Sequence, residues 1–184
     1  MDVETAIVKR RAYRSLEPVV VDEELVKVLG TAASLAPSCF NNQPWRFVFV
    51  YEPDVLQQVK AALTSGNRWA QAASLIIAVF SRKDLDCIIK GREYYLFDVG
   101  MATAFMLLRA TELGLVAHPI AGFDEVRVKE VLNVPEDMTV ITLVIVGRHA
   151  DRPSPLLSEK QIEAESRRPE RLPLDRIVYR QRFA

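Results

Sequence analysis

Ala36-Pro-Ser-Cys-Phe-Asn-Asn-Gln-Pro-Trp-Arg-Phe47 is the least ordinary stretch of this 184-residue chain. Two prolines bracket it, and Ser38, Asn41, Asn42 and Gln43 crowd beside Trp45. Polar amides in a proline-stiffened loop running into an apolar segment need hydrogen-bond partners. An ordinary capped turn would supply them. So would the rim of a ligand site, where such a loop reads the edge of a heteroaromatic ring. Upstream, Asp22 predicts the cap of a helix whose apolar positions Leu25, Val28, Leu29, Ala32 and Ala33 share one face, ending before Pro37. Downstream, Arg46 to Tyr51 predicts a strand, and Pro53 opens a helix carrying Val55, Leu56, Val59 and Leu63.

Helices and strands keep alternating further out. Ser74 to Phe80 reads as a buried strand. From about Arg92 to Leu113 runs the longest helical stretch, with Gly114 as its C-cap. It is apolar on more than one face, which puts it in the middle of the molecule. Val116 to Ile120 reads as a short strand. Asp124 caps a further helix through Leu132, and Thr139 to Val146 is a buried strand closing on Gly147. The tail after Asp151, with Pro153, Pro155, Pro169 and Pro173, predicts an extended arm (residues 151–184) of a single domain spanning residues 1–184. Its apolar residues Leu156, Leu157, Ile162, Leu174, Ile177 and Val178 have no partner face of their own, as expected of an arm that embraces a second subunit.

Composition excludes several classes. Apolar residues make up 49% and charged residues 26%, ordinary for a globular protein. Lys+Arg and Asp+Glu both number 24, so no global field attracts nucleic acid. The longest apolar run, Leu75 to Phe80, falls far short of the roughly 20 residues that span a bilayer. No secretory signal opens the chain, so the expectation is a soluble cytoplasmic protein. Cys39 and Cys87 are too few for a disulfide framework or a zinc site.

Charge is uneven locally. Lys9-Arg-Arg-Ala-Tyr-Arg14 is strongly basic, and near the C-terminus Arg167, Arg168, Arg171, Arg176, Arg180 and Arg182 face only Glu170 and Asp175. Two basic clusters at opposite ends suggest a small anionic ligand held where the ends meet. The competing reading is two solvated charge runs, the commoner fate of such stretches.

Side chains announce no chemistry. There is no GxGxxG, no GxxxxGK[ST] and no GxSxG, and only seven glycines in all. His118 and His149 cannot by themselves build a metal site. Cys39 with His118 could form a nucleophile and base, but a packed thiol is the commoner role of such a cysteine. An enzyme with this inventory borrows its chemistry from a cofactor.

The chain resembles the FMN-dependent nitroreductases. Val8-Lys-Arg-Arg-Ala-Tyr-Arg-Ser-Leu16 is similar to that family's arginine-rich opening motif, and Ala36 to Trp45 to its Pro-Ser-x-x-Asn-x-Gln-Pro-Trp signature. Asp98-Val-Gly-Met-Ala102 and Leu113-Gly-Leu115 are similar to the start and end of its long central helix. Pro119-Ile-Ala-Gly-Phe-Asp124, the strand closing on Gly147 and Arg171-Leu-Pro-Leu-Asp-Arg-Ile-Val178 also fit, so the resemblance covers nearly the whole chain in order.

The resemblance implies an α+β fold, with a mixed, mainly antiparallel sheet wrapped by helices and a C-terminal arm exchanged between subunits. It implies an obligate homodimer with two FMN sites at the interface. Arg10, Arg11, Ala12 and Arg14 match the first FMN-contacting segment, Arg10 on the phosphate or ribityl side and Arg14 near the N1/O2 edge. Pro37, Ser38, Cys39 and Asn41 match the loop lent by the second subunit. Asn67 matches a residue on the pyrimidine edge, and Pro119, Ile120 and Gly122 the segment passing N5. Arg171 matches a phosphate-binding arginine, with Arg168 as a second. The chain departs from the family at Ala12, where many members carry Ser, and at Pro169, where some carry a basic residue. It is also short from Arg82 to Tyr94, where longer members insert helices over the substrate. Tyr94, Tyr95 and Phe97 are candidates for a substrate pocket, for core or for a dimer interface.

The implied activity is ping-pong hydride transfer from NADH or NADPH to a nitroaromatic, quinone or related conjugated acceptor. The alternatives are a specialised branch (dehalogenation, flavin fragmentation or oxidation of peptide-derived rings), a flavin-binding or sensing dimer without turnover, and a scaffold without cofactor.

Overall fold

The computed structural model of the chain describes residues 1–183. It opens with α1 (Val3–Lys9), β1 (Leu16–Glu17) and α2 (Glu23–Ser34), followed by β2 (Arg46–Val50), α3 (Pro53–Ala61) and β3 (Leu75–Ser81). A small hairpin, β4 (Ile88–Ile89) and β5 (Arg92–Glu93), precedes the long helix α4 (Tyr95–Glu112). Then come β6 (Val116–Ile120), α5 (Glu125–Leu132), β7 (Thr139–His149) and α6 (Glu159–Ser166).

Local chemistry sets most helix ends. Asp2, Asp22 and Asp124 each accept a bond from a backbone N–H three residues on, at 2.7, 2.8 and 3.1 Å. Each cap contributes about 1 kcal/mol. Helix α4 stops in a Schellman turn: Gly114 takes φ +74°, its N–H donates to Thr111, and the Leu115 N–H donates to Ala110. A left-handed residue there favours glycine.

The sheet is antiparallel throughout, in the order β1-β7-β3-β2, with β6 also paired to β7. Every residue of β3 is buried, because helices cover both faces. Ile76, Ala78 and Phe80 point into a core shared with α3 and α5. Leu75, Ile77 and Val79 point into a second core built on α2 and α4. Burying each large side chain contributes about 1.5–3 kcal/mol, so the two-sided core is what holds β3 at the centre.

The architecture agrees with the expected α+β class, and five details correct the sequence reading. Helix α1 was not anticipated. Arg92–Glu93 belongs to a hairpin turned by Lys90 (φ +51°) and Gly91 (φ +79°), so the long helix begins at Tyr95. That helix is not enclosed all round, since Leu96, Phe97 and Phe105 stay 48%, 64% and 42% exposed. The arm is not extended throughout: α6 forms behind a capping box in which Ser158 and Gln161 bond each other's backbone. Finally, Cys39 is no packed thiol. It forms a disulfide with Cys87, the two Cα atoms 6.1 Å apart.

Candidate functional site

The ends of the chain do meet. Arg10, Arg11, Ala12 and Arg14 line a cleft of about 260 Å³ with Ala164, Arg168, Pro169 and Arg171. Glu165 makes this possible. One of its oxygens accepts from the backbone N–H of Ser15 at 2.8 Å and from that of Arg14; the other accepts from the Ser15 hydroxyl. Burial alone would raise the Glu165 pKa, but the Ser15 hydroxyl and the two backbone donors hold it below its ordinary value. The same hydroxyl accepts from Ser154 N, and Ser15 O accepts from Ala150 N. The arm is thereby pinned along residues 14–15.

Arg11 and Arg168 complete the clamp. Arg11 donates to the carbonyls of Glu165 at 3.0 Å and Arg167 at 2.9 Å, and its guanidinium lies 4.6 Å over the Tyr13 ring. Arg168 donates to the carbonyls of Val8 and Arg10. These two guanidiniums hold backbone. By contrast, those of Arg10, Arg14 and Arg171 have no acceptor and no carboxylate partner among the described residues. Burial, then the charges of Arg168 and Arg171, push the Arg10 pKa down. Arginine stays charged regardless, so the cleft holds mutually repelling cations, and the nearby Glu165 carboxylate is taken up by Ser15 and the Arg14 backbone rather than by these guanidiniums.

His118 sits behind this cleft. It is buried against Trp69, ring centroids 4.7 Å apart, and its Nδ1–H donates to Tyr13 O at 3.0 Å. Burial lowers its pKa to about 4; the bond to Tyr13 opposes that shift, and the charges of Arg14 and Arg10 add to it. His118 is therefore neutral near pH 7.

A second cluster forms where β6 ends. The carbonyl of Gly122 accepts three bonds, from Asn67 Nδ2 at 2.9 Å and from the Thr64 hydroxyl and N–H at 3.1 Å each. A Cβ at Gly122 would stand 2.5 Å from Asn67 Nδ2 and 2.6 Å from Thr64 Oγ1, so only glycine fits without displacing them. Asn67 and Gly122, which the resemblance assigned separately to the pyrimidine edge and to the N5 face of the flavin, are bonded to each other. Along β6, Ile120 is buried and Pro119 exposed.

The third group is the loop 37–43. Pro37 and Asn41 are exposed and Ser38 is half-buried; Ser38 Oγ accepts from Gln43 N at 3.0 Å. The Cys39 N–H donates to Asp98 Oδ2 at 2.7 Å, fixing the loop on the first turn of α4. None of the four lines the arginine cleft of this chain. Sequence reasoning missed Glu165, Ser15, Thr64 and Asp98, which position these groups. Two of them carried a signal, Asp98 as the first residue of the helix-start motif and Ser15 as part of the arginine-rich opening motif.

Comparison with known proteins bears on the family and the fold. The Nitroreductase family pattern matches residues 7–148. An NADH dehydrogenase of Thermus thermophilus is 27% identical over 209 aligned positions, covering 97% of this chain and 95% of its own. The crystal structure of an oxidoreductase containing FMN superposes with a TM-score of 0.86 at 28% identity, covering 100% of this chain and 94% of its own. A nitroreductase family protein from Clostridium difficile shares the fold at 23% identity, with a TM-score of 0.79 and full coverage of both chains.

Proposed function

This chain belongs to the nitroreductase family, and we propose that it is an FMN-dependent NAD(P)H oxidoreductase acting as a homodimer. One observation carries the reading: Arg10, Arg14 and Arg171 share a cleft with no anionic partner among the described residues. Gathering uncompensated charge costs stability unless an anion binds there, and a guanidinium fork suits a phosphate monoester. FMN, when bound, supplies hydride transfer at its N5, so that NAD(P)H and a nitroaromatic, quinone or related conjugated acceptor use one site in turn.

The chain's own groups bind and orient. Arg10 and Arg171 take the phosphate. Arg11 and Arg168 hold the arm so that Arg171 reaches it. Arg14 brings positive charge to the N1/O2 edge. Asn67 is fixed by Gly122 through its amide nitrogen, which leaves its oxygen for the pyrimidine edge, and Pro119 to Gly122 flank the reacting face. Pro37, Ser38, Cys39 and Asn41 of a second copy close the site. The exposed apolar residues Leu96, Phe97 and Phe105 on α4, with Leu172, Leu174 and Ile177 on the arm, support that second copy, which would cover them.

Anaerobic mixing with NADH or NADPH tests the reading. The bound flavin's visible absorption should bleach, and a quinone or nitroaromatic added afterwards should restore it. A yellow protein that neither nicotinamide reduces would be a flavin-binding dimer without turnover. A colourless protein that takes up no FMN would overturn the cofactor assignment.

A further inference from the structure

Away from the arginine cleft, one other place gathers chemically capable groups, between the loop 37–43 and the hairpin β4–β5. There Cys39 and Cys87 are joined, and their sulfurs lie with an Asp86 carboxylate oxygen in a group whose members are all within 4.8 Å of one another. Asp86 is only 9% exposed. Its Oδ1 accepts from Asn42 Nδ2 at 3.2 Å, and the same amide lies 3.4 Å from Cys87 Sγ. Its Oδ2 is fully buried, and no donor among the described residues reaches it. Asp98, 2% exposed, accepts the Cys39 N–H and also lies within hydrogen-bond reach of the Asp86 carboxyl, so the two acids face each other beside the sulfurs. Neither carboxyl has a cationic side-chain partner among the described residues. Two buried carboxyls that face each other with no cation between them repel when both are ionised, and such a pair normally shares a proton or binds a metal.

We propose that the dithiol form of this cluster is a zinc site, with Cys39, Cys87 and Asp86 as protein ligands and a water in the fourth position. Two thiolates and one carboxylate, with an amide orienting the carboxylate, form a donor set suited to Zn²⁺. Zn–S bonds of about 2.3 Å in a tetrahedron put the sulfurs about 3.8 Å apart. Cα atoms 6.1 Å apart allow that spacing through rotation of the two side chains. The chemistry balances as follows. A dithiol reductant gives two electrons and two protons to the Cys39–Cys87 bond, which opens to two thiols as the reductant closes its own disulfide. Zn²⁺ then releases the two thiol protons to solvent and gains two Zn–S bonds and one Zn–O bond. A dithiol oxidant's disulfide, taking up two electrons, reverses this and expels the metal. In both end states the loop 37–43 stays cross-linked to the hairpin; in the metal-free dithiol state it does not. The proposal stands on this cluster, whose Cys39 also lies in the loop proposed to close the flavin site of a second copy; metal uptake and flavin bleaching are separate readouts, so either reading can fail without the other.

The test uses the full-length protein, reduced with a phosphine, desalted anaerobically and titrated with Zn²⁺ against a chromogenic chelator. Reduced wild type should take up one Zn²⁺ per chain, and the oxidised protein none. Asp86→Asn should weaken binding at least tenfold, and the Cys39→Ser/Cys87→Ser double variant should abolish it. Co²⁺ in place of Zn²⁺ should give the thiolate charge-transfer bands of a tetrahedral sulfur site. Reduced wild type without stoichiometric metal would overturn the proposal, as would equal uptake by the oxidised form or by the double variant. The comparison of reduced with oxidised wild type needs no variant to fold.

Discussion

Arg168 donates to the main-chain oxygen of Arg10 at 3.1 Å, across 158 positions of sequence. It thereby brings the two basic ends of a neutral chain into one cleft. That bond does not act alone, because Glu165, three residues before Arg168, is anchored on Arg14 and Ser15.

Glu165→Ala should therefore act on stability and on cofactor binding together. Losing hydrogen bonds to a charged acceptor should cost about 1.5–3 kcal/mol of unfolding free energy. FMN affinity should fall as well, because Arg168 and Arg171 lose their anchor. Urea unfolding and a fluorescence titration with FMN check both. If stability drops and FMN binds as before, the arm does not form part of the site.

His118 sets an acid limit. Its folded pKa of about 4 lies below the ordinary 6.5, so the unfolded chain binds the extra proton first as pH falls. The stability at stake is fully present above about pH 6.5 and is lost on descending toward pH 4, about 3 kcal/mol in all. His118→Asn keeps a donor for Tyr13 and does not titrate, so its urea midpoint should vary less with pH across that window. An unchanged slope would place the titration elsewhere.

Gly122→Ala should push the Asn67 amide and the Thr64 hydroxyl off the Gly122 carbonyl, at a cost of about 1–3 kcal/mol. In Asn67→Ala one of the two clashes is gone. The double variant should thus be more stable than the sum of the single changes implies, as a double-mutant cycle in urea would reveal. Strict additivity would mean that the two residues are not coupled.

Much of the fold was legible because local chemistry and tertiary structure agree. Asp22 and Asp124 cap the helices they announce, Gly114 stops α4, and β3 and β7 read as buried strands because both of their faces are covered. Misreadings arose where local signals were short or misleading. Helix α1 buries only Ala6, so it shows little apolar periodicity. Helical spacing was carried through Arg92 although Lys90-Gly91 marks a tight turn. Ser158 and Gln161 are a readable capping box that the surrounding prolines obscured. Of the site, the arginine clusters were legible through motifs, and so were Asn67 and Gly122 one by one, though not their bond to each other. Glu165 on Ser15 and Cys39 on Cys87 depend on distant segments meeting, and nothing in their spacing encodes that.

Arg14 should tune the flavin rather than anchor it. Two-electron reduction leaves negative charge near N1/O2, which a guanidinium stabilises by about 1–2 kcal/mol, the worth of a charge-assisted bond. Arg14→Gln should then lower the FMN midpoint by roughly 20–45 mV, since 1.4 kcal/mol corresponds to about 30 mV for two electrons. Spectroelectrochemistry on the FMN-loaded protein reads this directly. An unaltered midpoint would take Arg14 off the flavin edge.

The phosphate assignment is tested most directly by titrating the apoprotein with FMN and with riboflavin, which differ only in the phosphate, for wild type and Arg10→Ala. Wild type should prefer FMN by about 1.5–3 kcal/mol or more, on the order of ten- to a hundredfold in affinity. Arg10→Ala should lose most of that preference while binding riboflavin as wild type does. Equal affinity of the wild-type protein for FMN and riboflavin would contradict the arginine cleft as the phosphate site.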